Sequence, residues 1–513
     1  MSFNLFCKTA ASSASPSTSS ARNGPKNRTL ILDLGHVMFH YSVNHLALPR
    51  STFQSILLSP TWSDLERGQL SEHEAIQAIG KELSLDPVAI KEALTQARQT
   101  LRAHHQLYDQ LVHLKKEMNG SLKIYAMTNI ARDDFARLKA VLPDWRLFDR
   151  EFTSFEAAMA KPELGYYQHV LEQAGIDDCQ SVVFVDDKIC NVTAARFFGL
   201  RGIVFESADS LMRQLRNEFL DPVMRGRKFM TANARNHLSQ IEHGPVFRDV
   251  FSQFLIQREL HDTSFISLSR DGASEEEIGQ HLKQAKQEAK QWNYFIGPPV
   301  GTTKTFPADV DDTAMGLLAL SPPRSSANAV LDSFLANRSA RDGLVQVYFD
   351  EKRPRTCHVV LVNVIRVFYH YGRNDDVQNE LAYVGRILAN RAYLDAPEYI
   401  GPEPFLYFLS CLVKDNAQRP EIQSLREMVA VGLREQVGRG GDAFKLACRV
   451  LACQALGVWT GLDVSDLKGL QQCDGGWEIG WVCRFGRTQR RIGNRGVATA
   501  FAIKALEQDI KAL

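Results

Sequence analysis

TLILDLGHVMF (29–39) opens with an apolar run of strand length and closes in a turn, with Asp33 where the run ends. Three further runs have the same character: LKIYAMTN (122–129), SVVFVDDK (181–188) and LRGIVF (200–205). Between them lie helical patterns. SEHEAIQAIGKEL (71–83) and PVAIKEALTQARQTL (87–101) carry apolar residues three and four apart, and residues 50–118 as a whole read as helices. Short buried strands alternating with helices predict a parallel α/β sheet with right-handed crossovers.

After residue 206 the alternation stops. Helix follows helix, separated by Gly/Pro turns such as IGPPVGTT (296–303) and APEYIGPEP (396–404). HVVLVNVIRVFYHY (358–371) is the most apolar stretch, but Asn363 and Arg366 interrupt it, so it reads as a buried helix and no membrane span. The expected organisation is a tail over 1–27, an α/β domain over 28–206 with a helical cap at about 40–118, a linker over 207–240, and an all-α domain over 241–513. The tail is acid-free and Ser-rich and reads as disordered.

The 513 residues carry 60 Lys plus Arg against 59 Asp plus Glu, a formal charge of +1. That balance gives no net basic field for nucleic acid. Nine cysteines are scattered without a CxxC pair, which suits free thiols in a reducing, cytoplasmic setting better than disulfides or a zinc site.

Polar residues end three of the predicted strands: Asp33, then Thr128 with Asn129, then Asp186 with Asp187; Lys161 lies between the last two in sequence. In an open parallel sheet such residues converge at the carboxyl edge. Asp33 has the chemistry of a nucleophile toward phosphorus, Thr128 and Asn129 that of phosphoryl-oxygen donors, and Lys161 that of a charge-neutralising cation. The acidic pair suits Mg²⁺. Order, spacing and residue types resemble the haloacid dehalogenase (HAD) superfamily over about residues 28–206. The resemblance implies metal ligation by Asp33, Gly35, Asp186 and Asp187. It also exposes a departure. The pattern DxDxT carries a second, proton-transferring Asp where this chain has Gly35, and a lost general acid costs ~10²–10⁴ in rate. Loss of the acid hurts an alkoxide leaving group more than a phosphate. A site so built is expected to cleave a diphosphate to a monophosphate while hydrolysing the monoester poorly. His36 is either a substitute acid or only a turn residue.

FPADVDDTAMGLLAL (306–320) gathers Asp309, Asp311 and Asp312 at the start of an apolar helix. One or two acids there are explained by helix capping, at about 0.3–1 kcal/mol each. Three crowded carboxylates cannot all ionise, so at least one keeps its proton, and an acid facing an apolar cavity can protonate an alkene. DVDDTA resembles the DxDD signature of class II terpene cyclases, whose fold is an α/α barrel. The resemblance assigns Asp311 as proton donor, with Asp309 and Asp312 polarising and orienting it. LQQCDGGWEIGW (470–481) resembles the QxxDGGW repeats of such barrels, or is only a turn before a helix, and IGNRGVATAFAIKAL (492–506) looks like their last helix.

A polyprenyl diphosphate needs a cationic anchor and an aromatic lining. Arg484, Arg487, Arg490, Arg491 and Arg495 fall within twelve residues without an acid, and Lys352, Arg353 and Arg355 form a second cluster. Of these, Arg353, Arg355, Arg491 and Arg495 are the expected phosphate contacts; a solvated basic face is the alternative. Phe306, Tyr348, Tyr407, Trp477 and Trp481 are either cation-stabilising aromatics or core packing. A HAD-like domain followed by a DxDD domain resembles the HAD-type terpene cyclases of drimane-sesquiterpene biosynthesis. That resemblance implies Mg²⁺-dependent cyclisation of farnesyl diphosphate, a small isoprenoid diphosphate, to a bicyclic diphosphate. Dephosphorylation to the monophosphate or a drimenol- or albicanol-type alcohol follows. Two alternatives stand beside it: a cyclase with a scaffold HAD domain, and a HAD phosphatase with a helical interaction module.

Overall fold

The structure, a computed structural model, describes residues 28–142 and 144–512. The expected tail over 1–27 lies outside the described residues. The chain divides into two compact units, the first ending at Phe219 and the second running from Leu220 to Leu513.

The first unit is built on a five-stranded parallel sheet of β1 (Arg28–Leu32), β2 (Leu122–Thr128), β3 (Arg150–Thr153), β4 (Val182–Asp186) and β5 (Arg201–Val204), in the order β3-β2-β1-β4-β5. Residues Leu30 to Leu32 and all of β4 are buried, as a strand covered on both faces requires. REFT, which forms β3, is an edge strand with two unburied residues at its start; its charged opening hid it from a reading based on apolar runs.

Four helices, α1 (Arg50–Leu57), α2 (Pro60–Glu66), α3 (Glu72–Leu83) and α4 (Pro87–Gln99), form the insertion after β1 and share a core of their own. Capping is strong here: Ser71 and Glu74 make a capping box on α3, and Asp86 caps α4 with Pro87 at its first position. The strand pair Phe39–His40 and Arg102–Ala103 brackets the insertion. The cap therefore ends near residue 101 and not at 118, because helix His105–Glu117 packs with helix α5 (Ala208–Phe219) of the sheet unit.

The stretch 207–240, expected as a linker, holds α5 and then α6 (Pro222–Ala232). Each buries one face, through Leu211, Met212, Leu215 and Phe219 in α5 and Phe229 and Met230 in α6, so its polar composition is that of an amphipathic helix and not of a tether.

In the second unit six helices pack successively: α7 (Val250–Leu260), α8 (Val310–Leu320), α9 (His358–His370), α10 (Glu403–Asp415), α11 (Ala443–Leu456) and α12 (Arg495–Ala512). α12 packs back on α7, closing a ring. Second helices alternate with these in sequence, among them Glu275–Gln287, Arg324–Ala336, Gln378–Ala389, Arg426–Gln436 and Gly461–Gly469. Ring helices are apolar nearly all round; every residue of α9 from His358 to Tyr369 is buried.

QQCDGGW serves as a brace. Gln471 accepts from Arg225 (2.9 Å) and donates to Pro222 and Gly475 carbonyls (2.8 Å each), tying α6 to this turn. The Trp477 indole is wholly buried and donates to Leu467 O at 2.7 Å. None of the eight cysteines within the described residues is in a disulfide, and no helix among those residues is long and apolar enough to cross a membrane.

A buried ion triad joins three elements of this unit: Arg449 of α11 pairs at 3.0 Å with both Glu403 and Asp463. Removing one partner of such a group strands the others without water. Arg449→Met is expected to destabilise this unit by about 3–5 kcal/mol, read as a lowered unfolding midpoint; an unchanged midpoint would show that the triad contributes nothing.

Candidate active sites

At the carboxyl edge of the parallel sheet, Asp33 follows β1, and its main-chain N–H donates to Val185 O at 2.9 Å. Lys161 is almost wholly buried. Its ammonium uses three hydrogen bonds: 2.8 Å to Asp33 Oδ1, 2.7 Å to Asp186 Oδ2 and 2.8 Å to the Met127 carbonyl. Asp186 Oδ1 accepts from Lys188 N and Asn191 Nδ2, both at 2.9 Å, which holds that carboxylate rigid at the end of β4. Asp33, Asp186 and Asp187 offer oxygens within 4.8 Å of one another. One lysine cannot neutralise three acids. Burial pushes the Asp33 carboxyl up to about 6 despite the opposing Lys161 charge, and Asp187 is also raised, by burial and then by Asp186. Clustered hard oxygens with uncompensated charge fit a divalent cation such as Mg²⁺.

Thr128 ends β2 and is buried. Asn129 is differently engaged from expectation. Its amide donates to Lys161 O and accepts from Lys161 N, both at 2.8 Å, so the side chain clamps the lysine's main chain and keeps only its second N–H for another acceptor. Gly35 lies two residues past Asp33, and a Cβ added there would meet nothing within 4 Å. His36 is in the left-handed region (φ 57°), its N–H donates to Phe39 O at 2.7 Å, and its ring lies 5.4 Å from that of Tyr41, all features of a turn residue.

In the second unit the three aspartates sit where α8 begins. Asp309 is its N-cap, accepting from Asp312 N at 2.8 Å, so capping explains one of the three. It does not explain the rest, because all three are buried. Asp311 Oδ1 accepts from Asn363 Nδ2 at 2.8 Å, and Oδ2 is hydrogen-bonded to the Tyr399 hydroxyl at 2.5 Å. Neither oxygen of Asp312 has a hydrogen-bond partner. Burial, followed by the Asp309 charge, drives the Asp312 carboxyl well above its ordinary range. Asp311 is raised to about 7 by burial, against the acidifying bonds from Tyr399 and Asn363. A carboxyl that keeps its proton near neutrality, while two donors wait to stabilise its conjugate base, is suited to giving that proton away.

The three aspartates line a cavity of about 710 Å³, a size suited to a small-molecule ligand. Phe251, Tyr294, Phe306, Tyr348, Tyr399 and Phe485 supply aromatic walls, and Lys304, Arg353, Arg355, Arg484 and Arg487 supply cations. Arg355 pairs with Glu398 at 3.0 Å, and Arg484 is spent on the Ala396 and Pro397 carbonyls. Two expected phosphate contacts are placed elsewhere. Arg491 pairs with Glu242 and lies 4.6 Å from the Trp481 ring centroid, and Arg495 forms a two-pronged pair with Asp474 at 2.6 and 2.7 Å. Neither lines the cavity, because an acid distant in sequence claims each. Of the other expected aromatics, Tyr407 bonds Glu259 and Trp477 belongs to the brace, so neither lines it. Asn363 and Tyr399 were not singled out as site residues from sequence. Asn363 left a signal, as one of two polar residues three apart in an otherwise apolar helix; Tyr399, in a loop, left none.

Residues 223–371 match the family model described as the sesquiterpene cyclase astC-like C-terminal domain. The drimenol cyclase drtB of Aspergillus calidoustus is 36% identical over 481 residues, which span 93% of this chain and 88% of that protein. The sesquiterpene phosphatase astK of Aspergillus oryzae is 30% identical over 190 residues, 37% of this chain and 95% of its own length. A solved HAD family enzyme from Bacteroides thetaiotaomicron aligns with 37% of this chain and 99% of its own, at 20% identity and a TM-score of 0.31. A phosphatase-like α/β unit followed by a helical cyclase unit defines the class. The chain belongs to the HAD-fused drimane-type sesquiterpene cyclases.

With Asp311 as the expected proton donor and burial raising its carboxyl to about 7, cyclisation is expected to be flat below that pH. Above it the rate should fall about tenfold per unit. A pH–rate profile of cyclic product formation checks this; a rate that rises through pH 8 would contradict it.

Proposed function

We propose that this chain cyclises farnesyl diphosphate to a bicyclic drimane-type diphosphate in its second unit and removes phosphate in its first. The closed helical ring is read as the α/α barrel of a class II cyclase, which the alternation of ring helices with second helices supports. One observation carries the reading. A buried carboxyl poised near neutrality, Asp311, lines an aromatic-walled cavity that also presents unneutralised cations.

The steps follow from the residues. Lys304 and Arg487, which have no acidic partner among the described residues, and Arg353 hold the diphosphate. The apolar chain folds into the cavity and excludes water. Asp311 gives its proton to the distal alkene, and Asn363 and Tyr399 stabilise the carboxylate left behind. Aromatic faces stabilise the positive charge as it moves through the forming rings. Loss of a proton at the final carbon ends the sequence with the diphosphate intact.

In the first unit Asp33 attacks the terminal phosphorus and displaces the drimane-type monophosphate, and water then hydrolyses the phosphorylated Asp33 to free phosphate. Lys161 balances charge between Asp33 and Asp186, and Asn129 keeps Lys161 in place. Asp33, Asp186 and Asp187, with the Gly35 main chain, would hold Mg²⁺, which supplies charge neutralisation on the transferring phosphoryl group. Gly35 removes the usual acid, so loss of the first phosphate outpaces loss of the second.

Incubating the purified chain with farnesyl diphosphate and Mg²⁺, and extracting with and without added phosphatase, tests both halves. Asp311→Asn is expected to cut cyclic product by about 10²–10⁴-fold, and Asp33→Asn to leave cyclic diphosphate accumulating. An unchanged phosphorylation state in Asp33→Asn would make the first unit a scaffold. Gly35→Asp has room for its side chain. It should raise free alcohol over monophosphate at least about tenfold by phosphorus NMR; an unchanged ratio would show that the missing acid does not limit the second hydrolysis.

A further inference from the structure

Arg366 is a buried cation in the apolar helix α9, three residues after Asn363 and so on the same face. Its Nη1 donates to Asn363 Oδ1 at 2.8 Å, lies 3.9 Å from Met315 Sδ, and its guanidinium carbon sits 5.3 Å from the Phe408 ring centroid. Its Nε has no partner. Its charge acts on Glu259 of α7, itself bonded to Tyr407. A buried charge this sparingly satisfied is costly, and packing alone gives no reason to keep it.

A guanidinium donates and never accepts. Facing Arg366, the amide of Asn363 must present its oxygen, and it must then present its NH₂ to Asp311 Oδ1. That oxygen is compelled to accept. When Asp311 carries a proton, the proton therefore sits on Oδ2, the oxygen beside Tyr399.

We propose that Arg366 is the positioning residue that fixes which oxygen of Asp311 carries the transferable proton, acting through the side-chain amide of Asn363. This rests on Asp311 being the proton donor. With the pin removed, the amide can reverse and offer its oxygen to Asp311. It then stabilises the protonated form and makes Asp311 a weaker acid. The other titratable groups around Asp311 are Asp309 and Asp312 on its own helix, Glu398 and Tyr399 on the loop before α10, and Cys483 on the strand Gly480–Arg484. Asp249, capping α7, acts on Asp312. None of these is a cation that could take over the role of Arg366, and the Arg355 charge is paired with Glu398.

The test is a cycle of Arg366→Met, Asn363→Leu and the double variant, with Arg366→Lys as the conservative substitution. Cyclic product from farnesyl diphosphate is measured across pH, and unfolding midpoints are recorded in parallel. Arg366→Met should lower the neutral-pH rate at least about tenfold and move the alkaline limb upward by about one pH unit. Arg366→Lys, still donor-only, should keep the limb in place. In the Asn363→Leu background Arg366→Met should cost less than about twofold further, because the two act as one unit. Additive losses, or an unmoved limb in a folded Arg366→Met protein, overturn the proposal. Should Arg366→Met fail to fold, a limb that moves in Arg366→Lys overturns it equally. Asp311→Asn separates the levels: cyclisation surviving in that variant defeats the donor assignment itself, whereas its loss alongside an unshifted Arg366→Met profile defeats only the role of Arg366.

Discussion

Three carboxyl groups buried within four residues cannot all be charged, and the second unit is arranged around that constraint. Desolvation makes ionisation of Asp309, Asp311 and Asp312 expensive, and each charge raises the cost of the next. Their environments then diverge. Asp309 takes a helix N–H, Asp312 takes nothing, and Asp311 alone has a donor on each oxygen. The result is a retained proton on one side of the group and a stabilised conjugate base on the other. Such a separation of roles among neighbouring acids is how one site can hold a proton at neutral pH and still release it.

The first unit solves the same crowding in the opposite way. There, two of three clustered acids share a fully engaged lysine, and the remaining negative charge suits a divalent cation. In the proposed reaction Asp33 acts on phosphorus in its ionised form, which suits a cluster where charge is compensated and not suppressed. One chain thus contains two acidic clusters of similar composition and contrary chemistry. The difference lies in what faces them: an ammonium in one, an amide and a phenol in the other.

Much of this was legible in the sequence because strand-length apolar runs and motif spacing are local signals. TLILD, YAMTN and FVDD marked three strand ends, and those ends meet at one sheet edge. The DVDD cluster read correctly as more than capping because three acids exceed what a helix dipole needs. What escaped depended on partners distant in the chain. Arg491 and Arg495 looked like phosphate ligands until Glu242 and Asp474 claimed them, and Asn129 looked free until it clamped Lys161. Residues 207–240 looked like a tether because amphipathic helices with short apolar faces resemble polar linkers in composition. Asn363 and Arg366 appeared only as flaws in an apolar helix, and their meaning emerged once Asp311 was seen against them.

The central claim is that a carboxyl proton in equilibrium with water starts the cyclisation, and isotope incorporation reads that step directly. With the enzyme equilibrated in D₂O and given unlabelled farnesyl diphosphate, the account predicts one deuterium in each molecule of cyclic product, in the ring formed from the distal alkene. Cyclic product carrying no deuterium would contradict it.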